Sequence, residues 1–352
     1  MSADSQQLPE RDGQGTAPAQ PRQPGIVDCA LYSEGKRLRT LSLDEIASAL
    51  AECSAEDSSR FVWIGVYEPD RALMQRLSVV FDLHELAVED AFRAHQRTKL
   101  EEYDGTVFLA LRTARWDEAE DWIDLGETQI FAERSFLVTV RHGSATSYER
   151  VRKRCEAQPE LFRFGMAFAL YAVLDFVVDG YFPIVERLED RTDELEAELF
   201  TGRFDEETSR RIFALRTQIS SIKRAMLPLA DAFDRMRRPD ENRIPARVRP
   251  YLRDVHDHAL RVADTVEHLR EVLGSAVEAN FALVSVRQNE ITKRLASWAA
   301  LIALPTLVSG IFGMNFVHLP GLESRFGPPV VLVATVCVCG YLYSRFRAAG
   351  WL

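Results

Sequence analysis

The chain has 352 residues, 53 acidic against 43 basic side chains, a formal net charge of −10, and 47% hydrophobic residues. That length calls for more than one structural unit. No basic stripe able to neutralise phosphates stands out in the polar part of the chain, which argues against nucleic acid as a partner, whereas an acidic surface beside a membrane suits a protein that handles cations.

Residues 1–25 are rich in Gln, Pro, Gly, Ser and Ala and hold too few apolar side chains to offset the entropy of ordering, so a disordered tail is expected. The tail contains no apolar stretch of the secretory-signal kind. From Ile26 to about Ser144, β-prone runs alternate with helical ones, which predicts an α/β domain over 26–144 with strands at Phe61–Tyr67, Thr106–Arg112 and Phe136–Val140. Thr128–Phe131 and Phe136–Val140 flank Ala132-Glu133-Arg134-Ser135, which reads as a hairpin with a four-residue loop. Cys29, Cys53, Cys155, Cys337 and Cys339 show no C-x-x-C spacing, so reduced thiols are expected rather than a zinc knuckle or redox pair.

After Ser144 the patterns are helical, at Tyr148–Gln158, Phe164–Phe200 and Asp205–Arg238. The acidic stretch Asp190, Asp193, Glu194, Glu196 and Glu198 reads as a solvated helix face. Pro239, Pro245 and Pro250 interrupt, and no proline occurs from Tyr251 to Leu304. A single helix over Tyr251–Asn315 would be on the order of 100 Å long against a bilayer core of ~30 Å, so it begins in the cytoplasm and ends across a membrane. The predicted fold class is α+β: an N-terminal cytoplasmic α/β domain, a long-helix stalk or funnel over 145–294, and a transmembrane pore domain over 295–352.

Within the last part, Leu295–Phe316 and Phe326–Ser344 are uncharged and long enough to cross a bilayer. Lys293 and Arg294 precede the first span, Arg345 and Arg347 follow the second, and the connecting loop holds only Arg325. The positive-inside rule puts both termini of this multi-pass protein in the cytoplasm and the loop outside.

Two helices cannot enclose a water-filled path, so a pore requires several copies around an axis. Steps of three and four along the long helix give Glu278, Ala282, Ser285, Asn289, Thr292, Ala296, Ala299, Ala303, Thr306, Gly310 and Gly313, all small or polar. A small-residue packing seam explains such a stripe as well as a pore does. Asn289, Thr292 and Thr306 tip the balance towards a pore, because they offer oxygens to an ion or its water shell. Magnesium dehydrates reluctantly, and no carboxylate, His or Cys stands in the membrane part of the stripe, so a hydrated hard cation is the expected passenger. No nucleophile motif, P-loop or His-Glu zinc motif points to an enzyme.

The first span ends in Gly313-Met314-Asn315 after Gly310-Ile311-Phe312. At the outer end of the penultimate span, this resembles the Gly-Met-Asn signature of the CorA-type magnesium and cobalt transporter family. The likeness extends through His84–Asp90, His95–Lys99, Tyr251–His258, Ala263–Glu267 and Val286–Glu290. It implies a homopentamer in the cell (inner) membrane, with a cytoplasmic funnel, a pore lined by the first span and closure by intracellular Mg2+, carrying Mg2+ with Co2+ as companion. It places the selectivity signature on Gly313, Met314 and Asn315, an inner polar ring on Asn289, a threonine at membrane depth on Thr306, the acidic pore entrance on Glu278 and a constriction on Leu295. It also implies a regulatory metal held by Asp90 and by Asp254 of the next subunit, with Glu89, Asp175 and Asp179 as lesser candidates. Where many members continue with Met-Pro-Glu-Leu, this chain has Leu319-Pro320-Gly321-Leu322, and its acid, Glu323, stands two residues later than theirs. A zinc transporter of the same fold and a non-conducting membrane metal sensor are the alternative readings.

Overall fold

The structure, a computed structural model, describes residues 25–53, 57–93, 98–144, 146–200, 206–236, 244–314 and 326–352. The expected tail, up to residue 24, and Asn315 lie outside the described residues. The chain forms two compact units, one of residues 1–192 with 211–271 and the other of 193–210 with 272–352.

Seven strands form the sheet of the first unit: β1 (Ile26–Ser33), β2 (Lys36–Thr40), β3 (Phe61–Tyr67), β4 (Lys99–Tyr103), β5 (Thr106–Asp117), β6 (Trp122–Glu133) and β7 (Phe136–His142). Their order is β2-β1-β3-β7-β6-β5-β4, antiparallel throughout except for the parallel pair β3/β7. The helices are α1 (Ile46–Ala51), α2 (Arg71–Phe81), α3 (Glu85–Phe92), α4 (Glu149–Glu156), α5 (Pro159–Phe162), α6 (Met166–Asp179), α7 (Phe182–Phe200), α8 (Glu206–Met236), α9 (Arg249–Phe312) and α10 (Gly327–Ala348).

Both faces of the central strands are apolar because both are covered. Val62, Ile64, Val66, Val138 and Val140 pack with Leu73, Met74, Leu77, Phe81, Ala87 and Ala91 of α2 and α3. One residue out of phase, Tyr32, Phe61 and Trp63 meet the edge of the Phe162 ring from α5. The expected four-residue hairpin loop is corrected to two residues, Arg134 and Ser135. Ala132 pairs with Leu137 and Glu133 with Phe136, so the ladder's hydrogen bonds and the burial of Ala132 outweigh the turn signal. The single helical stretch expected over Phe164–Phe200 is two helices. It breaks at Gly180-Tyr181, where the buried Tyr181 hydroxyl donates to the Arg112 carbonyl at 2.8 Å. The Met166–Phe200 run is apolar enough to cross a membrane, yet 67% of its apolar window is buried inside the protein, against 6% for α9 and none for α10. Burial marks the first run as core, whereas among the described residues the other two are left largely exposed.

Arg152 of α4 is 6% exposed. Its guanidinium lies 4.2 Å from the Trp63 ring centroid, donates to the Trp63 carbonyl at 3.1 Å and stands 3.5 Å from the Asp28 carboxylate. A buried cation is tolerable only when so satisfied. Arg152→Ala is expected to cost about 3 kcal/mol, read as a lower denaturant midpoint of tryptophan fluorescence in the purified full-length protein; an unmoved midpoint would mean that Arg152 adds nothing to the sheet–helix packing.

In the second unit, α9 runs through Pro305, which has no N–H to give the Leu301 carbonyl four residues back. The Cys339 thiol of α10 lies 4.0 Å from that orphaned oxygen. The buried Asn280 amide donates to the Leu199 carbonyl at 2.8 Å, capping the last turn of α7.

Candidate functional site

Along one face of α9, Glu278, Asn289, Thr292, Leu295, Ala299, Ala303, Thr306 and Gly310 are all exposed, as are Gly313 and Met314 just beyond the helix. The face towards α10 differs: Leu301, Leu304 and Val308 are half-buried and Ser297 is buried. Thr292 Oγ1 donates to the Gln288 carbonyl at 2.9 Å and Thr306 Oγ1 to the Ile302 carbonyl at 2.7 Å. With its proton turned back along the helix, each hydroxyl presents lone pairs outward, an acceptor suited to a cation or to the O–H of its hydration water. A Cβ added to Gly310 would meet nothing within 4 Å. Glycine inside a helix costs about 1 kcal/mol relative to alanine, and nothing among the described residues requires the small residue there. Ala299, Ala303, Thr306 and Gly310, with Ile302 and Leu307, line an open apolar groove.

A second set of residues lies in the first unit, where one face of α6 meets α9 near its start. Asp175, Asp254 and His258 each place a ligand atom within 4.8 Å of the others. Asp179 Oδ1 is 3.2 Å from His258 Nδ1, and His258 Nε2 is 3.9 Å from Asp254. Asp175 is buried and accepts from Arg154 at 2.7 Å. Burial is the main cause that raises its pKa, with Asp179 adding to the rise and Arg154 opposing it. Burial, helped by Asp175, Asp254 and Asp179, likewise pushes the Tyr171 phenol up to about 12. A hard divalent ion fits this donor set, held by carboxylate oxygens and by its own water. Because the folded-state pKa of Asp175 is raised, its charge weakens the fold at neutral pH. That penalty shrinks as pH falls through the raised value and vanishes below the ordinary aspartate pKa of about 3.9. In EDTA at neutral pH, Asp175→Asn is therefore expected to melt at or above the wild-type temperature, the difference closing as the solution is acidified; a variant that melts lower at neutral pH would contradict this.

Asp90 and Glu89 lie elsewhere, on α3. Lys99 Nζ is 2.7 Å from Asp90 Oδ2, and Arg93 is 2.8 Å from Glu89. Histidines bracket this helix: His84 Nδ1 accepts from the Leu86 N–H at 3.2 Å, and His142 on β7 places Nε2 2.9 Å from the Ala91 carbonyl and Nδ1 3.0 Å from Glu68. Within one chain the structure thus brings Asp254 together with Asp175 and Asp179, the lesser candidates, and leaves Asp90 with a lysine. Sequence reasoning missed His258, although Asp254 and His258 share the i, i+4 spacing that puts two side chains on one helix face, as do Asp175 and Asp179.

The family described as CorA-like Mg2+ transporter protein matches residues 58–347. The cobalt/magnesium transport protein CorA of Thermotoga maritima is 29% identical over 300 residues, 84% of this chain and 85% of that protein. The protein of the same name from Methanocaldococcus jannaschii is 25% identical, covering 86% and 95%. Among solved structures, the complete CorA magnesium transporter of M. jannaschii superposes with a TM-score of 0.74 at 23% identity, covering 93% of this chain and 99% of that one. The full-length CmaX protein gives 0.71 at 16% identity, covering 93% and 100%. These two share the fold.

Proposed function

The chain belongs to the CorA-like Mg2+ transporter family, and from that premise we propose that it is a membrane channel for hydrated divalent cations, Mg2+ first and Co2+ second. Several copies, five by resemblance to the family, surround an axis with α9 as the lining helix. The observation that carries this reading is the face of α9 from Glu278 towards Gly313: small or polar except at Leu295, exposed along its length, with hydroxyl lone pairs outward and a glycine at 310 that no described neighbour demands. In this arrangement the stripe faces the axis, Glu278 gathers cations at the inner end, Asn289 and Thr306 meet the water shell, Leu295 narrows the path and Gly313-Met314-Asn315 form the outer mouth. The apolar ends of α9 and α10 cross the cell membrane with both termini in the cytoplasm.

Entry needs no ATP, since an inside-negative potential supplies about 2.3 kcal/mol per charge per 100 mV, twice that for a divalent ion. High internal Mg2+ closes the channel by bridging Asp90 of one subunit to Asp254 of the next, two carboxylates whose mutual repulsion the ion relieves and which, in its absence, Lys99 and His258 offset; Glu89, Asp175 and Asp179 are the lesser candidate ligands. The test is Mg2+ influx into sealed liposomes carrying the purified protein under an inside-negative potential. Influx that follows the potential supports the channel. Zinc moving with protons in place of magnesium would transfer the assignment to a zinc transporter, and no flux of either ion would leave a membrane metal sensor.

A further inference from the structure

Lys99 opens β4, the edge strand that follows α3 in the chain. Its ammonium sits between two carboxylates, 2.7 Å from Asp90 Oδ2 and 2.6 Å from Glu101 Oε2, and 5.7 Å from the Phe108 ring centroid. All three charged side chains are partly sheltered, with exposures of 29% for Lys99, 24% for Asp90 and 37% for Glu101. Glu101 has a partner besides Lys99, since it accepts from the Tyr103 hydroxyl at 3.0 Å. Burial alone would lower the Lys99 pKa, but its two carboxylates together raise it, so the group stays an ammonium.

We infer that Lys99 is a tethered counter-cation that competes with the divalent ion for Asp90 and so sets the concentration at which the regulatory site fills. This rests on the reading of Asp90 as a regulatory ligand. The Asp90 lone pair that accepts from the ammonium at 2.7 Å cannot also receive a metal or its water, so an ion that takes Oδ2 from that side displaces Lys99, and one held through Oδ1 binds against the charge of the ammonium beside it. Glu101 makes the exchange possible: when Asp90 turns to the metal, Lys99 keeps its second carboxylate and is not left as an unpaired charge. Lys99 and Glu101 are thus positioning residues with opposite effects on one equilibrium.

The experiment titrates Mg2+ into the purified full-length protein and follows resistance to a protease, a readout independent of transport. Lys99→Met is expected to lower the Mg2+ midpoint roughly fivefold to tenfold, equivalent to about 1–1.4 kcal/mol, the size of one ordinary net hydrogen bond. Glu101→Gln is expected to raise it, and Lys99→Arg to leave it at or above the wild-type value. Because the two substitutions move the midpoint in opposite directions, general loosening of the domain, which would shift both the same way, is told apart and overturns the inference. A Lys99→Met midpoint equal to or above wild type, in a protein whose Asp90→Ala variant loses Mg2+ protection, also overturns it. Protection that is unchanged in Asp90→Ala overturns the underlying reading of Asp90 itself, and the role of Lys99 falls with it.

Discussion

Asn315→Ala is expected to cut potential-driven Mg2+ influx into proteoliposomes on the order of a hundredfold. A hydrated magnesium ion keeps its water because stripping it is costly, so the outer mouth must recognise water hydrogens, for which an amide oxygen is a neutral acceptor. In the proposed five-fold ring, one substitution removes five such oxygens at once. Each net hydrogen bond contributes about 0.5–1.5 kcal/mol, and the loss of only two or three of them reaches the ~2.7 kcal/mol that corresponds to a hundredfold. Asn315→Gln keeps the amide but displaces it by a methylene, so its influx should fall between the alanine variant and wild type. Influx is measured as the initial rise of a magnesium indicator inside the vesicles, with oligomer size checked by gel filtration. An alanine variant that conducts at the wild-type rate would remove the signature from the ion path.

The second large effect concerns closure. Internal Mg2+ is expected to shut the wild-type channel and to leave the influx of the Asp90→Ala/Asp254→Ala double variant unchanged. Turning an equilibrium from nearly all open to nearly all closed takes ~5.5 kcal/mol of differential binding. Spread over five subunit boundaries, that is about 1 kcal/mol at each, well within reach of an ion that relieves the repulsion between two carboxylates. Alanine at both positions removes the repulsion and the ligands together, so the bare and the magnesium-loaded funnel become alike. Closure that persists in the double variant would move the sensor elsewhere, with Asp175, Asp179 and His258 the first residues to test.

Much of this was legible in the chain. Two uncharged runs after residue 294 announce apolar helices because a bilayer core sets a minimum length, and length is a property of sequence. The stripe from Glu278 to Gly313 could be read because helical periodicity alone decides which residues share a face, and the structure leaves all of its described members exposed. The Gly-Met-Asn motif gave the family, in agreement with the match over residues 58–347. Long-range pairing was less legible. Gly180 and Pro183 mark the break after α6 locally, but nothing local tells Tyr181 that the Arg112 carbonyl awaits its hydroxyl, and the two-residue hairpin turn depended on which strand Glu133 would pair with.

Composition, periodicity and one short motif therefore determined the class of the protein, its apolar helices and the face of α9 that bears the oxygens, since each follows from interactions within a few residues along the chain. Only the tertiary structure decided that the apolar Met166–Phe200 run is core, that Cys339 reaches the carbonyl orphaned by Pro305, that Asp175 meets Asp254 and His258, and that Asp90 is held by Lys99. Each of these depends on residues brought together by folding, and charges or carbonyls in a sheltered site take whichever partner the fold places within hydrogen-bond reach.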